Sequence, residues 1–115
     1  NNIPLQDIEL GEAKGKVLIL GWGSTFGAIK AATKELIAEG KSVSHAQVRY
    51  LFPFPKNFEE VLRSFDTVLI PEMNMGQLNM MIRSEFLIPT VALNKVKGIP
   101  FSKNEIKDKI LEILK

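Results

Sequence analysis

Val17-Leu18-Ile19-Leu20-Gly21-Trp22-Gly23-Ser24-Thr25-Phe26-Gly27 decides the fold. Four apolar residues run into glycines and a Ser-Thr pair, the pattern of a buried strand entering a tight turn and a helix N-terminus. Beyond the turn Ile29, Ala32, Leu36 and Ile37 recur at i, i+3, i+7 and i+8, which predicts an amphipathic helix. Gly40 is placed to stop it as a left-handed C-cap. Strand, glycine turn and helix together make the first unit of an α/β fold.

Working outward, residues 5–10 alternate imperfectly and predict a short edge strand ahead of the main sheet. Val43 to Tyr50 alternates and is β-rich, so a second strand follows the helix. Pro53 and Pro55 cannot continue it, because each lacks a donor and pushes its predecessor toward extended geometry; Leu51 to Pro55 reads as a rigid, aromatic-rich connector. Asn57, with Glu60 three residues on, predicts a capped short helix whose stripe is Phe58, Val61, Leu62 and Phe65. Val68-Leu69-Ile70 reads as a central parallel strand ending at Pro71-Glu72. Met73 to Gln77 is then a second strand-to-helix turn, followed by Leu78, Met81, Ile82 and Phe86 on one helical face, with Pro89 closing the element. Thr90 to Leu93 is the last strand. After the Asn94 to Phe101 loop, Ser102 and Glu105 form a capping box for a helix buried through Ile106, Ile110, Ile113 and Leu114. Strands alternating with helices predict a parallel sheet with helices on both faces.

Composition narrows the function. With 115 residues, 45% of them hydrophobic, the chain can bury one core. A net charge of +2 gives no broad positive field, so nucleic acid is not expected as a partner. The absence of cysteine excludes disulfides, thiolate metal sites and iron–sulfur ligation by this chain, and fits a reducing, cytoplasmic setting. No apolar run approaches the roughly 20 residues of a membrane span, so no membrane partner is expected. The start at Asn1-Asn2, with Pro4, Gly11 and Gly15 before the strong strand, reads as a linker over residues 1–15 entering a domain over 16–115. The whole is expected to be a piece of a longer polypeptide.

In an open parallel sheet, ligands and partners gather beyond the carboxyl ends of the strands, where strand order reverses. Two loops have the composition for that place: Gly21, Trp22, Gly23, Ser24 and Thr25 with Gly27 beyond, and Glu72 to Gln77, including Asn74 and Gly76. Glycines permit close backbone approach, and helix amides favour an anion. The dinucleotide spacing Gly-x-Gly-x-x-Gly fails, since position 26 is Phe, and no Walker lysine follows. Glu72 has the place of a general base but no neighbouring acid, histidine or nucleophile; accepting amide hydrogen bonds is the plainer role. His45, the single histidine, lacks a second to complete a ligand set and is expected in a hydrogen-bonded structural role. Met73, Met75, Met80 and Met81 suit either core filling or a partner surface. Arg49, Arg83, Lys95 and Lys97 are candidates for a basic rim or for ordinary solvated cations.

Four motifs in order carry a family resemblance: the Gly21 to Gly27 loop, Arg49-Tyr50-Leu51-x-Pro53-Phe54-Pro55, Glu72-x-Asn74-x-Gly76-Gln77-Leu78, and Lys95-Val96-x-Gly98-x-Pro100-Phe101. They resemble the C-terminal domain of the α subunit of 2-oxoglutarate:ferredoxin oxidoreductases, over about Lys16 to Ile106. The resemblance implies a transketolase C-terminal-like fold, a three-layer α/β/α sandwich on a mostly parallel five-stranded sheet with an antiparallel edge strand. It also implies a parent enzyme that oxidatively decarboxylates a 2-oxoacid with thiamine diphosphate, Mg, coenzyme A, iron–sulfur clusters and ferredoxin. In that family thiamine diphosphate lies between other domains, so no catalytic, cofactor-binding or metal residue transfers to this chain. The switch-point loops are then docking surfaces, joined by Pro53, Phe54, Pro55, Lys95, Gly98, Pro100 and Phe101. The implied partners are the other domains of the same α subunit and a thiamine-binding β subunit, with ferredoxin serving the complex. Two rivals stand beside this reading: a stand-alone anion or small-ligand module built on the two loops, and a small enzyme with Glu72 as base.

Overall fold

Val17, Leu18, Ile19 and Leu20 are almost wholly withdrawn from solvent on strand β1 (Gly15–Trp22), which has a neighbour on each side and helices above and below. Each such aliphatic side chain contributes about 1.5–3 kcal/mol by leaving water. The structure, a computed structural model, describes residues 3–51, 53–73, 77–95 and 99–115. A 3-10 turn (Gly23–Thr25) leads to α1 (Phe26–Ala38), then β2 (Val43–Val48), α2 (Phe58–Arg63), β3 (Phe65–Met73), α3 (Gln77–Phe86), β4 (Val91–Lys95) and α4 (Lys103–Leu114). The strands lie in the order β2-β1-β3-β4, and every pairing is parallel.

The sheet divides two cores. On one face Val17, Ile19 and Leu69 pack with Ile29, Ala32 and Leu36 of α1 and Ile106 and Ile110 of α4. On the other, Leu18, Leu20, Val68 and Ile70 pack with Phe58 and Leu62 of α2 and Leu78 and Ile82 of α3. Gly40, at φ +83°, follows the end of α1 in the conformation glycine adopts without strain. Ile37, expected on the buried stripe of α1, is instead 38% exposed, while Thr33 takes the inward position and returns its hydroxyl to the Ile29 carbonyl at 2.7 Å.

Four further differences have physical causes. The described sheet has four strands: residues 5–10 do not form a fifth, and make one isolated antiparallel bridge, Leu10 to His45. Upstream of that bridge, Gln6 gives its backbone amide and carbonyl to the Asn57 side chain rather than to β2. Asn57 does not cap α2; its side chain accepts from Gln6 N at 2.7 Å and donates to Gln6 O at 3.0 Å, so it fastens the N-terminal segment instead. β3 continues through Pro71 and Glu72 to Met73. Its pairing with β1 stops at Leu69, so the missing Pro71 donor breaks no described ladder on that side. β2 ends at Val48, two residues short, and is buried on both faces rather than alternating. No helix among the described residues is long and apolar enough to cross a membrane.

Candidate functional site

The chain leaves β1 for β2 on one side and returns to β3 on the other, so strand order reverses between β1 and β3. The two glycine-bearing loops leave the carboxyl ends of these neighbouring strands. In the first, the Trp22 amide donates to Thr25 Oγ1 at 3.2 Å, and the Thr25 hydroxyl donates to the Trp22 carbonyl at 3.1 Å. This closes the 3-10 turn and leaves Trp22 39% exposed at the sheet edge. Gly21 is buried, and a Cβ there would stand 2.1 Å from Gln47 Oε1, so any larger residue must displace that side chain. Gly23 (φ +68°), Ser24 and Gly27 are exposed, and a Cβ on Gly27 would meet nothing within 4 Å.

Beneath this turn lies a buried polar chain from β2. His45 is fully buried, with its ring 5.3 Å from that of Phe26. Gln47 Nε2 donates to the Gly23 carbonyl at 3.4 Å, which makes its Oε1 the acceptor for His45 Nε2 at 3.1 Å. His45 is therefore held as the Nε2–H tautomer, and its Nδ1 has no partner. Burial, opposed by the Gln47 hydrogen bond, lowers its pKa below the ordinary 6.5. The structural role expected for His45 is what this geometry describes.

At the second loop Glu72 is buried and both its oxygens are engaged. Oε1 accepts the Leu78 amide at 2.6 Å; Oε2 accepts the Asn79 amide at 2.9 Å and Asn79 Nδ2 at 2.8 Å. A carboxylate thus binds the first-turn amides of α3, where the helix dipole favours negative charge. The chain continues inward: Asn79 Oδ1 accepts from the Thr90 hydroxyl at 2.7 Å, and Arg83 donates through Nε to Thr90 Oγ1 at 3.1 Å and through Nη2 to the Thr90 carbonyl. Glu72 has no histidine, nucleophile or second acid among its bonded partners. Gln77 is the exposed first residue of α3. Asn74 and Gly76, also expected at this site, lie outside the described residues, as do Met75 and the Met73 side chain.

The remaining candidate loops have separate surroundings. Lys95, the last residue of β4, reaches Glu105 Oε1 at 2.6 Å and the Pro100 carbonyl at 3.2 Å. That contact, with the Ser102 capping box, lowers the Glu105 pKa from its ordinary 4.5. Pro100 is exposed, but Phe101, expected on a docking loop, is buried in the α1/α4 core; Gly98 and Lys97 lie outside the described residues. Among the described residues the candidates for a basic rim are engaged separately: Arg49 pairs with Glu9 at 2.7 Å, Arg83 serves Thr90, and Lys95 serves α4. Pro53, Phe54 and Pro55 border a groove of about 630 Å³ shared with Met80, Met81 and Phe86 of α3. Of the methionines, suited to core filling or to a partner surface, Met80 is 65% exposed.

Asn79, Thr90, Gln47 and Gln6 were missed, because helical and strand periodicity was counted on apolar positions alone. The signal available was a polar residue at a position the period assigns to the interior, as Asn79 beside Leu78. Among the described residues no three His, Cys, Asp or Glu side chains converge, and the chain has no cysteine. An iron–sulfur cluster or multidentate metal held by these side chains does not fit.

The family model for pyruvate:ferredoxin oxidoreductase core domain II matches residues 15–108. The chain is 40% identical over 108 residues to the 2-oxoglutarate oxidoreductase subunit KorA of Mycobacterium tuberculosis, an alignment covering 92% of this chain and 16% of that protein. Among solved structures, the 2-oxoglutarate:ferredoxin oxidoreductase from Magnetococcus marinus, with 2-oxoglutarate, coenzyme A and succinyl-CoA bound, superposes with a TM-score of 0.91. That match is 29% identical and covers 99% of this chain and 20% of the larger one. A split-gene transketolase, an inactive β4 tetramer, shares the fold at a TM-score of 0.65 and 18% identity, over 88% of this chain and 39% of that one. The chain therefore spans about a sixth of the curated relative and a fifth of the solved complex chain it matches.

Proposed function

Because this chain belongs to the pyruvate:ferredoxin oxidoreductase core domain II family, we propose that it is the accessory C-terminal α/β domain of a 2-oxoacid:ferredoxin oxidoreductase α subunit. Residues 1–15 serve as its linker and 16–115 as the domain. The parent enzyme takes 2-oxoglutarate and coenzyme A to succinyl-CoA and CO2: the C1 carboxylate leaves, the carbonyl carbon is oxidised by two electrons to the thioester level, and the electrons pass to ferredoxin. Thiamine diphosphate, Mg and iron–sulfur clusters belong to other domains and subunits of that cytoplasmic assembly. This domain's contribution is contact with the rest of its subunit and with the thiamine-binding β subunit.

The observation that carries this reading is the carboxyl edge of the sheet. It presents exposed Trp22, Tyr50 and Ile99 after β1, β2 and β4, while the buried carboxylate among the described residues, Glu72, is spent on amides of its own chain. An apolar rim of this kind suits a protein surface better than a small anion. Trp22→Ser in the full-length subunit is the test. A buried interface tryptophan is worth about 2 kcal/mol or more, so assembly should weaken about thirtyfold. Trp22 is 39% exposed and otherwise covered by its own chain, so the 115-residue chain should itself lose about 2 kcal/mol of stability, and assembly is read at a temperature where circular dichroism shows the variant folded. Normal assembly with lost turnover would sink the docking role. Saturable heat on titrating the chain with thiamine diphosphate, coenzyme A or 2-oxoglutarate would favour the small-ligand module instead.

A further inference from the structure

Residues 5–10 lie along the outer edge of β2 and are held there at alternate residues of that strand. The Glu9 amide donates to the His45 carbonyl at 2.7 Å, and the His45 amide donates to the Leu10 carbonyl at 2.9 Å. Two residues on, the Gln47 carbonyl accepts from Gln6 Nε2 at 2.9 Å, and beyond it Arg49 pairs with Glu9. The side chains of His45 and Gln47 lie under the β1 turn. Gln47 Oε1 accepts from His45 Nε2 at 3.1 Å, and Gln47 Nε2 donates to the Gly23 carbonyl. The same two residues of β2 thus meet the segment through their backbone and the turn through their side chains.

Both ends of this connection are weakly held. The segment is fastened by polar bonds more than by burial: Leu5 is 60% exposed, Ile8 is half-buried, and a cavity of about 340 Å³ opens between Pro4, Gln6 and Glu9 and the Arg49–Tyr50 end of β2. Elements held in that way are the first to open locally. Past Gly11, at φ +91°, Ser44 Oγ donates to the Glu12 carbonyl at 2.7 Å, so the chain is anchored there and pivots at a glycine. At the other end the Gln47 to Gly23 contact is 3.4 Å, the long limit of a hydrogen bond, and a shift of about 0.5 Å in β2 breaks it.

We propose that residues 5–10 are a strap that regulates the docking turn. Seated on β2, the strap holds the His45–Gln47 pair that supports Gly23 and Trp22; lifted, it lets Gln47 part from Gly23 and loosens the turn. The regulatory meaning rests on the docking role given above to Trp22, while the coupling is a property of this chain alone. Gln47 is a positioning residue in this scheme, because its one amide group is divided between His45 and Gly23. Such coupling is reciprocal, so a partner that fixes the turn also seats the strap.

Trp22 is the chain's single tryptophan, and its amide closes the turn on Thr25, so its emission and its hydrogen exchange report the turn directly. Asn57→Ala removes both bonds to the Gln6 backbone and leaves His45, Gln47 and Trp22 in place. Deleting residues 1–10 takes the strap away outright. In both variants exchange at the Trp22 amide should rise about tenfold, the equivalent of one ordinary hydrogen bond, relative to the Ile19 amide in the core of β1, which reports global opening. The emission should move to longer wavelength. With Gln47→Leu already present the turn is loose from the start, and lifting the strap should add neither change. A turn unchanged once the strap is gone, or a response undiminished by Gln47→Leu, overturns the proposal. The docking reading fails separately. Parent assembly indifferent to Trp22→Ser, with the coupling intact, keeps the strap and removes the docking role; assembly sensitive to Trp22→Ser without the coupling does the reverse.

Discussion

Replacing Glu72 by Ala removes the acceptor for three donors at once: the Leu78 amide, the Asn79 amide and Asn79 Nδ2. A hydrogen bond to a charged acceptor is worth about 1.5–3 kcal/mol, and a buried donor left unmet costs about 1–3 kcal/mol. Water entering the vacated space recovers part of this, and Asn79 Nδ2 keeps a 3.3 Å contact to the Ile70 carbonyl. The expected loss is therefore about 3–5 kcal/mol, a large share of the 5–15 kcal/mol that holds a domain of this size. Glu72→Gln retains one acceptor oxygen but turns an amide NH2 toward donors, and should lose about 2–3 kcal/mol. Urea titration followed by far-ultraviolet circular dichroism measures both, with the midpoint moving and the slope unchanged. The outcome also separates the roles proposed from sequence. A general base removed from a folded domain would abolish turnover with little loss of stability. A loss under about 0.5 kcal/mol in Glu72→Ala would therefore refute the helix-anchoring account and return Glu72 to the list of bases.

Two other perturbations follow from buried contacts at the switch point. His45 is neutral in the folded chain with its pKa lowered by burial, so above its ordinary 6.5 it adds no pH dependence. As pH falls below that value the unfolded chain takes a proton that the folded chain refuses, and stability declines until the lowered folded pKa is passed. Melting temperatures should thus drop between pH 7.5 and pH ~5, and His45→Leu should flatten that segment. The later loss, from Glu35 held low by Lys103 and Glu105 held low by Lys95, should persist in the variant; an unflattened profile would acquit His45. Gly21→Ala puts a methyl 2.1 Å from Gln47 Oε1 and 3.0 Å from Ile29 Cδ1, displacing the Gln47 bond to Gly23, and should cost about 1–3 kcal/mol by overpacking. An unchanged urea midpoint would show that Gln47 swings away freely.

The parts of this fold legible in the sequence are those written in apolar periodicity. Val17 to Leu20 announced β1, the Ile106 and Ile110 spacing announced α4, and Ser102 with Glu105 formed the capping box their spacing implied. What failed were places where a local signal had a stronger distant competitor. Asn57 has the identity of an N-cap, but the two backbone groups of Gln6 offered it a paired hydrogen bond across 51 residues. Pro71 looked like a strand terminator because the sequence does not tell which edge of β3 is left unpaired. The fifth strand rests on a weak alternation over residues 5–10, where Gln6 gives its backbone groups to Asn57 and only Leu10 bridges to β2. At the site, the place of Glu72 at a strand end is visible in the sequence, yet the helix it anchors is not, since Asn79, with Thr90 and Arg83 behind it, meets Glu72 only once α3 folds back against β3.

Some residues stabilise the chain that contains them, and others do not. Gly21 makes room for the Gln47 side chain of β2, and Glu72 meets the open end of α3; each departure from the ordinary has an internal reason. Three surface residues have none. Gly27 sits in the first turn of α1 with open space where its Cβ would lie, giving up about 0.5–1 kcal/mol relative to alanine. Trp22 keeps a large apolar ring part-way in water, and Leu87 accepts both strain and exposure. A sequence kept only for the stability of this domain would place alanine, a polar residue and glycine at these three positions. The first two border the β1 turn, the surface proposed to meet the rest of the parent subunit, and the third follows Phe86 at the connector groove. The stability forgone at Gly27 and Trp22 is what the docking role proposed for the β1 turn asks of those positions.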